Sequence, residues 1–236
     1  MGFWDKIERK IIADPDGFYF ARKDILKINK LFLAKDYDAV IIKSDQYYKK
    51  YPKFFNGNLF KGYALYYQNK YSEACENFNK VIEISPHINA AYDYCGYCHI
   101  QLENYQIALS YFERALGLYP NDAHFIQSKG LSLLYLNEFE EANRMFKCAY
   151  EIDKSDVLNN TILYLFVNNR FEENLFYIDQ AKKLDYDKFG IFILNYLEAM
   201  NSCMLGKDYS VNVAAVNKLS KKLKRLDGSL YGLING

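Results

Sequence analysis

Cys95, Cys98 and His99 fall within five residues, in the run Cys-Gly-Tyr-Cys-His. A Cys-x-x-Cys-His run is the attachment signature of c-type haem, two thiols holding the macrocycle and an imidazole ready for the iron. The same side chains suit zinc, which takes sulfur and imidazole nitrogen in a tetrahedral set. Zinc would need ligands beyond this run. His87 and His124 complete the histidines, and no second Cys-x-x-Cys is present. The other thiols are Cys75, Cys148 and Cys203. No phosphate-cradling glycine loop, no His-Glu-x-x-His and no Gly-x-Ser-x-Gly occurs. Carboxylates such as Glu140 and Glu141 fall on turns and outer helix faces, where solvation is their expected role. The sequence reads as that of a non-catalytic protein.

What decides the role of Cys95, Cys98 and His99 is the element that carries them. An aromatic preceded by two polar residues recurs at Tyr37, Tyr71, Tyr105, Phe139, Phe171 and Tyr209, at intervals of 34, 34, 34, 32 and 38. Four further columns keep the spacing of 34: Gly62, Gly96 and Gly130; Ala74, Ala108 and Ala142; Phe78, Phe112 and Phe146; Pro52, Pro86 and Pro120. A period of this length reports stacked supersecondary units. Within residues 55–88, apolar residues run at helical spacing to a polar break at Asn69-Lys70, resume through Ala74, Phe78, Val81 and Ile82, and stop at Ser85-Pro86. This pattern predicts two helices of roughly fourteen residues joined by a tight turn. Gly62 and Ala74 mark where the pair must approach closely. Phe78 fills the space toward the next pair, and the proline opens a new unit because it cannot continue a helix.

These columns resemble the tetratricopeptide repeat, a helical hairpin of the same period with small residues, aromatics and a late proline in these places. The resemblance covers nearly the whole chain and is strongest in units 55–88, 89–122 and 123–156. In unit 21–54, Tyr37 and Pro52 fit while Val40 and Ser44 replace the small residue and the aromatic. Unit 157–188 has Tyr164 in the glycine column and Asn174 in the alanine column, and the last unit, 189 to about 226, keeps only Tyr209, Val216 and Leu219. The implied fold is all-α: a right-handed α-solenoid of about six helix-turn-helix repeats with a capping N-terminal helix. The expected organisation is a capping helix in 1–20, four repeats over 21–156, two degenerate repeats over 157–226, and a flexible tail over 227–236. In this frame Gly96 is a packing glycine, and Cys95, Cys98 and His99 lie mid-helix, with Cys95 and His99 on one largely buried face. Core packing accounts for them, and no haem, metal or other cofactor is expected.

Composition narrows the partners. The chain has 236 residues, with 30 Lys and Arg against 29 Asp and Glu, so its net charge of +1 gives no global pull toward nucleic acid or membrane. Aromatic residues reach 17%, from 23 Tyr, 17 Phe and one Trp. No apolar run approaches the ~18 residues of a membrane span. The start, MGFWDKIERKII, has scattered charges and lacks the apolar core of a signal peptide, and Lys6 breaks the myristoylation pattern after Gly2. Five cysteines, an odd number without a secretion signal, argue for reduced thiols and a cytoplasmic location.

By the resemblance, first helices line a concave groove, and the residues expected to contact a ligand there are Asn29, Tyr63, Tyr66, Tyr67, Asp93, Tyr97, Gln127 and Tyr135. Tyrosine offers rigid contact area with one hydroxyl, which makes it a good peptide anchor; packing against neighbouring helices is the competing role for the same rings. The charged clamp that holds acidic tails in chaperone-binding relatives would map to Ile25, Asn29, Phe60, Ala90 and Tyr94, and only Asn29 fits. The function expected is therefore a protein–protein interaction scaffold or adaptor that takes an extended, largely apolar segment. Self-association through Phe189, Phe192 and Tyr196 is the alternative, with a possible homodimer. A membrane- or RNA-associated adaptor rests only on the Trp4 helix, with its stripe of Phe3, Ile7, Ile11 and Ile12, and on the basic run Lys218, Lys221, Lys222, Lys224 and Arg225. Neither partner is expected, because those features also suit a cap and a solvated helix face.

Overall fold

The computed structural model describes residues 18–184 and 188–207. The Trp4 helix, Tyr209, Val216, Leu219, the basic run and the glycine-spaced tail lie outside the described residues, as do the side chains of Phe189 and Phe192. Among the described residues all regular structure is helical, and the fold is an α-solenoid of helical hairpins. The chain forms two compact units, Met1–Pro120 and Asn121–Gly236. The first contains α1 (Phe18–Leu33), α2 (Tyr37–Lys50), α3 (Asn56–Tyr67), α4 (Tyr71–Ile84), α5 (Asn89–Gln101) and α6 (Tyr105–Leu118). The second contains α7 (Ala123–Tyr135), α8 (Phe139–Ile152), α9 (Lys154–Val167), α10 (Phe171–Lys182) and α11 (Lys188–Met204). In the first unit each helix packs on the next, and α1 also meets α3 and α3 meets α5. The same neighbour pattern holds in the second unit, where α7 also meets α9.

The five described hairpins each turn on one residue with left-handed backbone, Lys35, Asn69, Glu103, Asn137 and Asn169, and Gly206 after α11 shares that conformation, with φ between 59° and 65°. The chain reverses there through a pair of backbone bonds. At the second turn, Asn69 N–H donates to the Tyr66 carbonyl at 2.9 Å and Lys70 N–H to the Leu65 carbonyl at 2.9 Å. This is the Schellman arrangement, which satisfies carbonyls that a helix end would otherwise orphan. Asparagine tolerates this conformation better than most side chains, which explains three of the six choices.

The glycine and phenylalanine columns meet inside each hairpin. A Cβ on Gly62 would lie 2.7 Å from the Phe78 ring, one on Gly96 2.3 Å from Phe112, and one on Gly130 2.8 Å from Phe146. Phe78, Phe112 and Phe146 are fully buried. Phe78 also reaches the next hairpin, 5.3 Å from the Tyr94 ring between centroids. One aromatic therefore fills both the gap within its own hairpin and the gap to the following one. In the first hairpin the sizes are exchanged: Ile28 holds the glycine column and Ser44 the phenylalanine column, and both are buried.

The second unit departs from this scheme. Only Asp153 separates α8 from α9, because Lys154 stands where a proline would break the chain. Its hairpins are linked by polar side chains: Gln127 to Thr161 at 2.8 Å, Tyr177 to Asn143 at 3.3 Å, and Asn174 to Asn201 at 3.5 Å. The helix α11 runs for 17 residues, longer than the 12 to 14 of α3 to α10.

Candidate functional site

In the first unit, α1, α3 and α5 lie side by side and join their rings across the helix boundaries. Phe32 meets Tyr67 edge-on at 5.6 Å, Tyr37 stacks on Tyr67 at 5.6 Å with 9° between planes, and Tyr66 stands edge-on to both Tyr67 and Tyr94. The Tyr94 phenol also interacts electrostatically with that of Tyr67. Each such ring pair contributes about 0.5–1.5 kcal/mol beyond simple burial. The rings are thus held in place by one another.

These rings differ in what they show to the outside. Tyr67 keeps 48% of its surface exposed. Tyr66 is half-buried, edge-on to Tyr71 at 5.5 Å, and desolvation pushes its phenol up to about 12. Tyr97 is partly exposed and rests on Phe112 at 5.7 Å. Asn29 and Asp93 are also partly exposed. The Asn29 Oδ1 atom is buried without a hydrogen-bond partner among the described residues.

Two residues expected at the surface are inside. Tyr63 is 1% exposed, its ring enclosed by Phe32, Phe60, Phe78 and Tyr94, and desolvation raises its phenol well above the ordinary value. It follows the packing glycine Gly62, and the close approach of α4 that the glycine permits leaves Tyr63 no path outward. Gln127, in the second unit, is 2% exposed and donates to the Val157 carbonyl at 2.6 Å and to Thr161 Oγ1. It brackets α7 to α9 instead of offering an open contact. Tyr135, also in the second unit, is partly exposed.

Sequence reasoning missed Tyr37 and Tyr94 as partners of Tyr67. Tyr37 was legible only as a repeat marker, although its place at the start of α2 follows from that column. It also missed the company that Cys95 keeps. Cys95 and Cys98 are fully buried in α5, and Cys95 lies against Cys75 and Asn79 of α4. Desolvation raises the thiols of both Cys95 and Cys98. His99, on the same helix, is partly exposed, and desolvation lowers its pKa below the usual imidazole value. No group of three or more His, Cys, Asp and Glu arranged to hold a metal ion is found among the described residues. No described helix is long and apolar enough to cross a membrane.

Stacked hairpins of this length, with glycine packed on phenylalanine, define a helical-repeat protein. The tetratricopeptide repeat family matches residues 56–88 and again 90–122. The chain contains tetratricopeptide repeats over these residues. No curated protein matches it in sequence. Among solved structures, a tetratricopeptide repeat protein from Parabacteroides merdae superposes with a TM-score of 0.66 at 15% identity, covering 85% of this chain and 79% of that one. MamA from Desulfovibrio magneticus superposes with a TM-score of 0.58 at 17% identity, over 69% of this chain and 92% of that one. YrrB, described as a tetratricopeptide repeat protein with an unusual peptide-binding site, gives a TM-score of 0.52 at 21% identity, over 76% of this chain and 90% of that one. At these identities the likeness is one of fold. Proteins built from this repeat are typically non-catalytic scaffolds that bind other proteins.

Proposed function

We propose that this protein is an interaction scaffold whose first unit takes an extended, largely apolar peptide segment across the first-helix face, with Tyr67 as the central anchor. The observation that carries this reading is the state of Tyr67: half exposed, yet fixed by the rings of Tyr37, Phe32 and Tyr66. A ring already held in one orientation loses little entropy when a ligand covers it. Tyr66, Tyr97, Asp93 and Asn29 supply the surrounding surface. Tyr63 acts as the support beneath these rings. Tyr135 is assigned no part in this face. The repeat boundaries at 55, 89 and 123 are proposed as the functional divisions of the chain.

The test is selection of random peptides on the purified chain, followed by titration of the winners against wild type and Tyr67→Ala. Loss of about tenfold in affinity, little changed by high salt, is expected of an apolar aromatic anchor. Selected peptides that bind both proteins equally would remove Tyr67 from the site.

A second reading has its own observation. Ile191, Ile193 and Tyr196 of α11 are 40%, 37% and 41% exposed, an apolar surface suited to self-association. A dimer mass in light scattering that reverts to monomer in Tyr196→Lys would support it. A monomer at all concentrations would discard it.

A further inference from the structure

The thiol cluster where α4, α5 and α6 meet is explained neither by hairpin packing nor by the aromatic face. Cys75 Sγ lies 3.1 Å from Cys95 Sγ, and both are free thiols. Polar groups from three helices surround the Cys75 sulfur: its thiol donates to Cys95 Sγ of α5 and toward the Tyr111 hydroxyl oxygen of α6 at 3.8 Å, and it accepts from Asn79 Nδ2 of α4 at 3.6 Å, while the Tyr111 hydroxyl donates to Asn79 Oδ1 at 2.9 Å. His99 Nε2 is 3.5 Å away. The Asn104 side-chain amide faces His99 Nδ1 at 3.5 Å. The bond donated by the Asn79 amide favours thiolate over thiol at Cys75. The hydrogen bond between Cys75 and Cys95, with those to Tyr111 and Asn79, holds the Cys75 thiol below its ordinary value against desolvation and the nearby Glu76. Cys95 is shifted the opposite way by desolvation. The two sulfurs, 3.1 Å apart, are thus shifted in opposite directions.

We propose that Cys75 and Cys95 form a peroxide-sensitive dithiol whose disulfide locks the hairpin α3–α4 to the hairpin α5–α6. Cys75 is 5% exposed beside the partly exposed His99, an opening that suits an oxidant as small as hydrogen peroxide. The Cys75 thiolate attacks one peroxide oxygen and the O–O bond breaks. The leaving hydroxide takes a proton to become water, and Cys75 becomes a sulfenic acid. The Cys95 sulfur then attacks Cys75 sulfur and displaces the sulfenic oxygen, which leaves as water with the Cys95 proton. Overall two thiols and one peroxide yield one disulfide and two waters. The sulfurs need to close by only about 1 Å to reach bonding distance.

The experiment uses the full chain carrying Cys148→Ser and Cys203→Ser, which removes the two exposed thiols. After hydrogen peroxide treatment, remaining thiols are alkylated in denaturant and the peptides are mapped. The expected product is a Cys75–Cys95 linked peptide, reversed by dithiothreitol, with Cys98 alkylated. In Cys95→Ser the reaction stalls at the sulfenic acid, and dimedone labels Cys75 at least ~tenfold above Cys98. Should Cys95→Ser fail to fold by circular dichroism, Cys95→Ala replaces it, and the mapping of the parent protein decides without either. Free Cys75 and Cys95 after a dose that oxidises added glutathione would overturn the proposal. So would equal oxidation of Cys98, or sulfinic acid at Cys75 with Cys95 still present.

Discussion

The two compact units use both aromatic and polar links between hairpins, in different proportion. In the first, aromatic rings pass from helix to helix, and Phe78, Phe112, Tyr63 and Tyr94 fill the gaps. In the second, amides and hydroxyls reach between hairpins, through Gln127 to Thr161, Asn143 to Tyr177 and Asn174 to Asn201. The difference teaches that one hairpin geometry can be held by dense apolar packing or by matched polar pairs. Packing of the first kind is tolerant of direction but not of volume. Pairing of the second kind is tolerant of neither partner being lost.

The largest effect is expected in the aromatic unit. Phe112→Ala empties a fully buried site and is expected to cost about 3–5 kcal/mol, read as a lowered urea midpoint with the slope unchanged. Gly96→Ala places a methyl group 2.3 Å from the same ring and is expected to cost about 1–3 kcal/mol despite the gain in helix propensity. Combining it with Phe112→Leu should cost less than the two changes summed, because the column pair would then approach the exchanged sizes seen at Ile28 and Ser44. Simple additivity would show that the two columns do not act as a pair.

The polar unit makes the next test. Asn174 and Asn201 are fully buried, and the Asn174 Oδ1 and Asn201 Nδ2 atoms have no partner among the described residues. Asn174→Ala or Asn201→Ala alone strands the other amide and is expected to cost about 1–3 kcal/mol. The double change should cost less than the sum of the singles. Equal and additive losses would mean that the pair is not what joins α10 to α11.

Smaller effects separate turn from core. Glu103 holds a left-handed turn with φ of 59°, so Glu103→Gly is expected to raise stability by about 0.5–1 kcal/mol. Gly117, in the exposed last turn of α6, has nothing within 4 Å of an added Cβ, and Gly117→Ala should gain a similar amount. That gain set against the loss at Gly96 isolates packing from propensity at the same substitution.

The smallest effect is in pH. Burial lowers the folded-state pKa of His99 below its unfolded value of 6.5, so its neutral form is the one the fold prefers. The unfolded chain then binds the proton first as pH falls, and the contribution present above that value is lost below it. The thermal midpoint of wild type should fall more steeply than that of His99→Gln between about pH 7 and pH 5. Parallel profiles would mean that His99 is solvated.

The hairpins were legible in the sequence because small and aromatic columns repeat at 34, and each column is a local packing requirement repeated along the chain. The turn positions were legible for the same reason, since the left-handed residues Lys35, Asn69, Glu103 and Asn137 keep that spacing. The candidate face was legible only in part. Tyr63 and Tyr67 have the same type and sit one helical turn apart on α3, yet one is core and the other surface. Gln127 looked like an open polar residue until Val157 and Thr161, thirty and more residues away, claimed its amide.

By itself, then, the sequence determined the helical hairpin, its period, its close-contact glycines and the placement of Cys95 inside a helix. Those follow from steric and periodic rules that act within about one repeat. Only the tertiary structure decided which tyrosines remain exposed, how Phe32 and Tyr37 fix Tyr67, and that Cys75 meets Cys95. Each of those outcomes depends on which helix of the neighbouring repeat covers a given face, and the distance between faces is set by the packed side chains of several repeats together.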